Sequence, residues 1–432
     1  MKLLSPSLLH AAIDHPLMVG FSGGLDSTVL LHLLAHAPGR APDTLRAVHV
    51  HHGLQAVADD WDTHCRQVCQ QWKIPLRVIR VDVPRDAGDG LEAAARKARH
   101  DAFMDAMQPG EWLALAHHQD DQAETFLMRA LRGSGVDGLA AMRERRDFGP
   151  GQLWRPLLHI PRSALEAYAR QHQLRWIEDP SNDSEGFDRN FLRRQVMPLL
   201  RERWPHAAAA MARSAALAAD ASELLELHDA RQLQGCEADG DALSITALQQ
   251  LPATQRARVL RRWARQQGLP ALPAQGVHII ERQLLTADDD QQAEFRWQRA
   301  RIVRWRDRLH AVADLPPWPS GWAQQWDGQA PVALPDGARL SLDGADRFDR
   351  PLTLRQRRGG ERIQLPGRTH SHLLKHRLQA SDIAPWLRPH LPLLCDGDTL
   401  LAAGDRIVSA SLQQWLQAHG AGLHWQLPDT FD

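Results

Sequence analysis

The stretch Leu17-Met18-Val19-Gly20-Phe21-Ser22-Gly23-Gly24-Leu25-Asp26-Ser27-Thr28-Val29-Leu30-Leu31 decides the fold. Its first five residues read as a buried strand and Thr28 to Leu34 as an apolar helix, so Ser22 to Ser27 form a turn at a helix N-terminus. Backbone N–H groups there lack intrahelical partners and the helix dipole is positive, which favours an oxyanion. Two glycines let that anion approach the main chain, and Ser22, Ser27 and Thr28 add hydroxyls. A carboxylate in the first turn, Asp26, would repel a phosphate unless a cation lay between them, which makes Asp26 the candidate ligand of a bridging Mg²⁺. No Gly-Lys-Ser/Thr follows, so the lysine of a Walker loop is absent and attack at a γ-phosphate is disfavoured. A plain glycine-rich turn with a serine cap is the alternative. The strand before and the helix after favour the phosphate site.

Outward from this turn, Leu45 to His51, Leu76 to Val83 and Trp112 to His117 read as further strands, with helical patterns between them. Near-continuous apolar strands alternating with helices indicate an α/β fold, a parallel sheet covered on both faces, whose ligands bind at the carboxyl ends of strands. His49, His51 and His52 lie on that rim. So does Ala116-His117-His118-Gln119-Asp120-Asp121-Gln122-Ala123-Glu124, where His117, Asp121 and Glu124 share a helical face at spacings of four and three. Such a cluster can hold Mg²⁺, receive a cationic substrate or accept a proton; otherwise it is a solvated helix start rich in acids. In the helix opening at Leu91, Glu92 and Arg96 pair at i,i+4, and Arg96 and Arg99 sit on neighbouring turns. Trp61, Cys65, Val68, Cys69 and Trp72 form one helical stripe, which accounts for both thiols as buried; a metal site of His64, Cys65 and Cys69 lacks a second ligand pair. Gly133-Ser134-Gly135-Val136-Asp137-Gly138 fits a dinucleotide pattern but follows a helix, so it reads as a helix-ending loop.

The 432 residues exceed one ordinary core, and three domains are expected. The first spans 1–205, the second, mainly helical, 206–314, and a third, small and mixed α+β, 331–432. The Pro- and Trp-rich run from Leu315 to Gly321 marks a linker over 315–330. A helix around Gln255 to Gln267 carries Arg256, Arg258, Arg261, Arg262 and Arg265 without an acid, and short strands follow from Glu294 to Val312. Of the 51 basic residues only four are lysines, and the net charge is -1, so any nucleic-acid surface is local. The four scattered cysteines suit a reducing compartment, and neither a cleaved signal nor an apolar span is expected, which points to the cytoplasm.

Ser22 to Ser27 resembles the signature of the N-type ATP pyrophosphatases, which split ATP into AMP and pyrophosphate while adenylating a substrate oxygen. Further segments resemble the tRNA(Ile)-lysidine synthetase family within it. They are Arg129-Ala130-Leu131-Arg132-Gly133-Ser134-Gly135, Arg155-Pro156-Leu157-Leu158, Asp179-Pro180-Ser181-Asn182 with Arg189-Asn190, Arg357-Arg358-Gly359-Gly360-Glu361-Arg362, Pro385-Trp386-Leu387-Arg388 and Leu391-Pro392-Leu393-Leu394. Pro180 departs from the acidic residue of some members and stiffens the turn. Sulfur-transferring relatives use paired cysteines, whereas Cys65 and Cys69 look buried.

The resemblance implies that ATP adenylates the C2 oxygen of the wobble cytidine in the CAU anticodon of an isoleucine tRNA. L-lysine then displaces AMP through its ε-amine. Ser22, Gly23, Gly24, Leu25, Asp26 and Ser27 would bind ATP, with Mg²⁺ at Asp26, while Arg96 and Arg132 would stabilise developing charge. His117, Asp121 and Glu124 would receive lysine or assist its deprotonation. From Arg355 to Arg377 cations outnumber the one acid, Glu361, so Arg357, Arg358, Arg362 and Lys375 are the expected tRNA contacts. Two other readings are another adenylating enzyme, amidating or thiolating, and a tRNA-binding nucleotide sensor without turnover. Self-association as a dimer is open.

Overall fold

The computed structural model describes all residues except 1–2, 6–7, 9–14, 42–43, 52–57, 84–90, 179–187, 239–240, 288–292, 299, 313, 382 and 428–432. Residue contacts divide the chain into two compact units, Met1–Glu226 and Leu227–Asp432.

In the first unit the strands are β1 (Leu17–Gly20), β2 (Leu45–His51), β3 (Leu76–Arg80), β4 (Trp112–Ala114), β5 (Arg145–Phe148) and β6 (Gly151–Trp154). They form one sheet in the order β3-β2-β1-β4-β6-β5. All pairs are parallel, with Leu17 opposite both Leu45 and Trp112, except the β5–β6 hairpin at the edge. Helices α1 (Leu25–Ala35), α2 (Ala58–Gln71), α3 (Leu91–Ala106), α4 (Gln119–Leu131) and α5 (Arg162–Gln171) surround it.

Strand alternation assigns the two faces. Leu17, Val19, Ala47 and Trp112 pack with Val29 and Leu30 of α1, Cys65 and Cys69 of α2, and Leu165 of α5. Met18, Val48, Leu113 and Leu153 pack with Ala102, Phe103 and Ala106 of α3 and with Met107 just after it. Both cysteines are therefore buried thiols, as their helical stripe implies. Burial pushes the Cys69 thiol up to about 12 and Cys65 higher still. With both faces covered and strand order reversing between β1 and β4, the crevice for a ligand opens at their carboxyl ends. The β5–β6 hairpin lies outside the strands read from sequence. Arg145-Arg146-Asp147-Phe148 has no apolar alternation because β5 is a half-covered edge strand.

Beyond α5, α6 (Asp188–Phe191), a π-helical turn Leu192–Val196 and α7 (Met197–Arg203) run on continuously. The loop after α4 ends that helix as expected: Gly133 has φ +68°, and Gly133 N and Ser134 N donate to Ala130 O and Arg129 O.

The second unit holds a five-stranded antiparallel sheet within 237–312 alongside the helix Ala253–Gln266. Its later part carries a second five-stranded sheet, a three-stranded one and the hairpin Arg362–Gln364 with Ser371–Leu373. The stretch 315–330, read as a linker, is packed instead. Trp318 and Trp326 are buried in the core, Trp318 Nε1 donates to Asp336 Oδ2 at 2.6 Å, and Ala323–Trp326 pairs with Leu352–Arg355. Its tryptophans outweigh its prolines because indoles bury large apolar areas. Among the described residues no helix is long and apolar enough to cross a membrane.

Candidate active site

Phe21 extends the ladder of β1 by donating its N–H to Val48 O at 2.8 Å. The chain then turns through Gly23 at φ +82°. A Cβ at Gly23 would stand 3.0 Å from Cys65 Sγ and 3.3 Å from Ile177 Cδ1, so both dihedral and space demand glycine. Gly24 caps α1 without a side-chain hydrogen bond. The first-turn N–H groups are thus left for an anion. Ser22 Oγ and Ser27 Oγ lie 3.0 Å apart, and Ser27 Oγ donates to Gly24 O at 3.1 Å, which shapes the turn. Leu25 is buried beneath it.

Asp26 faces the start of α4. Its Oδ2 is 3.6 Å from His118 Nε2 and its Oδ1 4.0 Å from Arg162 Nε. Oδ1 is buried and has no hydrogen-bond partner. A buried carboxylate oxygen without a hydrogen bond, at a helix start suited to phosphate, fits a hard cation that takes few protein ligands and fills its shell with phosphate oxygens and water, as Mg²⁺ does. No group of three or more acids, histidines or cysteines forms a ready metal cage among the described residues.

His118 caps α4 in a reciprocal box: its Nδ1 accepts from Asp121 N, and Asp121 Oδ2 accepts from His118 N at 3.0 Å. Burial pulls its pKa down, but the close Asp26 carboxylate and the charges of Asp121 and Asp120 outweigh that and hold it above the ordinary value. His117 differs. Burial, with Arg155, Arg189 and Arg99 assisting against Asp121, lowers it to about 3, and its Nδ1 is buried without a partner. A base that weak stays neutral and serves as a hydrogen-bonding group better than as a proton acceptor.

Asp121 and Glu124 do come together on one face of α4, yet neither stands open. Asp121 Oδ1 accepts from Arg189 Nη2 and Arg193 Nη2, each at 2.9 Å. Glu124 Oε1 accepts from Arg193 Nε at 2.7 Å, and its Oε2 from Arg189 Nε at 2.9 Å and Arg193 Nη2 at 3.0 Å. Carboxylates buried this deeply need paired cations, so the acids expected to receive an ammonium already hold two guanidiniums. The arginines are held in bidentate geometry, and the neighbouring acids raise Arg193 against its burial. Asp120 joins the rim: it pairs with Arg201 and accepts Arg162 N at 2.9 Å.

The remaining expected residues separate. Arg132 is the C-cap of α4, exposed and 3.5 Å from Asp188. Thirteen helical residues place it roughly 20 Å along the axis from His118, so it is not brought to the loop. Arg96 lies on α3 and acts electrostatically on His100 and Arg155. His49 is buried, with its Nδ1 2.9 Å from Phe21 O, a structural role. His52, the turn from Asp179 to Asn182 and the side chain of Glu92 lie outside the described residues. Sequence reasoning missed Arg193 and His118 as site residues. The signal for Arg193 is its i,i+4 spacing from Arg189, which matches two acids three apart on α4.

In the second unit, Glu361 accepts Arg358 N at 2.6 Å, Gly359 N, and Arg355 Nη1 at 3.2 Å, which folds the glycine turn around the one acid of that stretch. Arg362 braces its hairpin through Ser371 O at 2.7 Å. Arg358 and Lys375 remain exposed.

Comparison with known proteins agrees with this division of labour. The PP-loop domain family matches residues 4–200, the TilS substrate binding domain 243–310, and the TilS substrate C-terminal domain 352–425. The chain is 55% identical over 421 residues to the tRNA(Ile)-lysidine synthase of Xanthomonas campestris pv. campestris (strain 8004), covering 97% of each chain. It is 53% identical over 416 residues to that of Xylella fastidiosa (strain Temecula1), covering 95% of each. Against the Serratia proteamaculans protein of the same name the identity is 42% over 421 residues, again 95% of each. A phosphate loop at the β1–β4 crevice and likeness along nearly the whole length together place this chain in the tRNA(Ile)-lysidine synthase family.

Proposed function

We propose that the protein is an ATP-dependent ligase that attaches L-lysine to C2 of the wobble cytidine in an isoleucine tRNA, through an adenylated cytidine. The observation that carries this is coverage: the likeness spans 97% of both chains, so the phosphate loop and the RNA-side segments come as one set.

The ATP phosphates would lie on the N-terminus of α1, where the turn Ser22 to Ser27 offers N–H groups and hydroxyls and Gly23 permits close approach. Asp26 would hold Mg²⁺ against the phosphates, which supplies charge neutralisation as pyrophosphate leaves. The cytidine O2 attacks the α-phosphorus and the α–β bond breaks. The ε-amine then adds at C2, the C–O bond to AMP breaks, and the amine sheds its proton. AMP makes an otherwise poor leaving group feasible. Arg189 and Arg193, fixed by Asp121 and Glu124, would meet anionic groups of the reactants, and His117 would orient the incoming amine through its free Nδ1.

Incubation with ATP, an unmodified isoleucine tRNA and labelled lysine should place label in RNA with one AMP and one pyrophosphate per lysine. Pyrophosphate release without label in RNA would sink the reading in favour of another adenylation. Asp26→Ala should lower pyrophosphate release by about a hundredfold or more; an unchanged rate would remove the loop from the mechanism.

A further inference from the structure

A cationic cluster lies on the α3 face of the sheet, and at its inner end Arg155 acts electrostatically on His117. Arg155 follows β6 directly and is 5% exposed. Its Nη1 donates to Arg143 O at 2.7 Å, while its Nε is buried with no partner. Two strands of spacing, roughly 10 Å, separate β6 from the phosphate loop on β1. Arg146, on edge strand β5, pairs across to Leu153 and so shares the α3 face with it. Its guanidinium lies 5.3 Å from the ring of Phe148, and His100 of α3 meets the same ring edge-on at 5.6 Å.

The charges around this point agree in sign. Burial and then Arg96, Arg99, Arg146 and Arg155 lower His100 to about 4, and burial with Arg146, Arg96 and Arg129 lowers Arg155 to about 10. After burial, the leading influences on both groups are cations. Arg146 itself is exposed and makes no ion pair among the described residues. A fold that gathers guanidiniums in this way, with a buried N–H left unpaired, is relieved by an anion.

We propose that Arg155 and Arg146 form a second phosphate site, which takes a backbone phosphodiester of the tRNA beside the nucleotide presented to the loop. The site runs from a buried guanidinium outward to an exposed one at the sheet edge. A triphosphate anchored on α1 is compact, whereas an RNA strand carries a phosphate at every nucleotide and can occupy both places. This inference rests on the tRNA reading above.

The test uses the full chain and Arg146→Ala, whose exposed position spares the fold, with Arg146→Lys as the charge-keeping control. Binding of an unmodified isoleucine tRNA is measured across a salt titration, and ATP binding is measured without tRNA. The expected result is a log K against log salt slope shallower by about 0.7–0.9 in Arg146→Ala, restored in Arg146→Lys, with ATP affinity unmoved. An unchanged slope while the wild type binds tRNA overturns this inference and leaves the proposed function standing. Weakened ATP binding with an unchanged slope also overturns it, by giving the cluster to the triphosphate. A wild type that binds no tRNA removes both.

Discussion

Burial would raise the Asp121 carboxyl, but His118, Arg189, His117 and Arg193 around it hold it down to about 2. Its unfolded value is near 3.8, and for a carboxylate depressed on folding the stability is full above the unfolded pKa and is lost as pH falls through the folded one. Urea unfolding followed by tryptophan fluorescence should therefore show the wild type losing about 2 kcal/mol between pH 4 and pH 2. Asp121→Asn should be less stable at neutral pH and flatter across that window; an equally steep loss in both would refute the assignment. At the loop, Gly23→Ala forces a left-handed φ on alanine against Cys65, which costs about 1–2 kcal/mol. An ATP titration should show roughly tenfold weaker binding. Gly23, Ser27 and Asp26 were legible because their whole context fits in a dozen residues of sequence. His118 was not: its cap and its approach to Asp26 depend on two strands lying side by side.

The start of α4 and the α6–α7 segment are locked by four guanidinium–carboxylate contacts, made between residues 65 to 72 positions apart. Taking away one acid leaves buried cations short of a partner, so Glu124→Gln should lower stability by about 3 kcal/mol, read as a fall in melting temperature. Helices α1 to α4 and strands β1 to β4 follow the sequence patterns closely because apolar runs at two faces leave little choice of register. The β5–β6 hairpin and the arginine pairing escaped. A polar edge strand has no period to detect, and pairing at such separations is a tertiary fact that local spacing does not encode.

Over the whole molecule a net charge of -1 conceals an uneven spread, which is what a polyanion reads. In the second unit Glu361 consumes Arg355 and orders the turn that carries Arg357 and Arg358. Reversing both charges should weaken tRNA binding at every salt concentration and lower the salt slope by about one or more. A slope equal to that of the wild type would take this turn out of the interface. The domain types were legible from changes of texture along the chain, but the run at 315–330 was not, since proline signals a break and only packing shows that Trp318 and Trp326 are anchors.

The edge strand β5 has one more effect, on how copies of the protein keep apart. An uncovered edge offers unpaired backbone groups to any other strand, and exposed Arg145, Arg146 and Asp147 put charge along that margin. Two such edges approaching each other would have to strip water from these charged side chains before any ladder could form, so the arginines that suit an RNA phosphate also guard the sheet against aggregation.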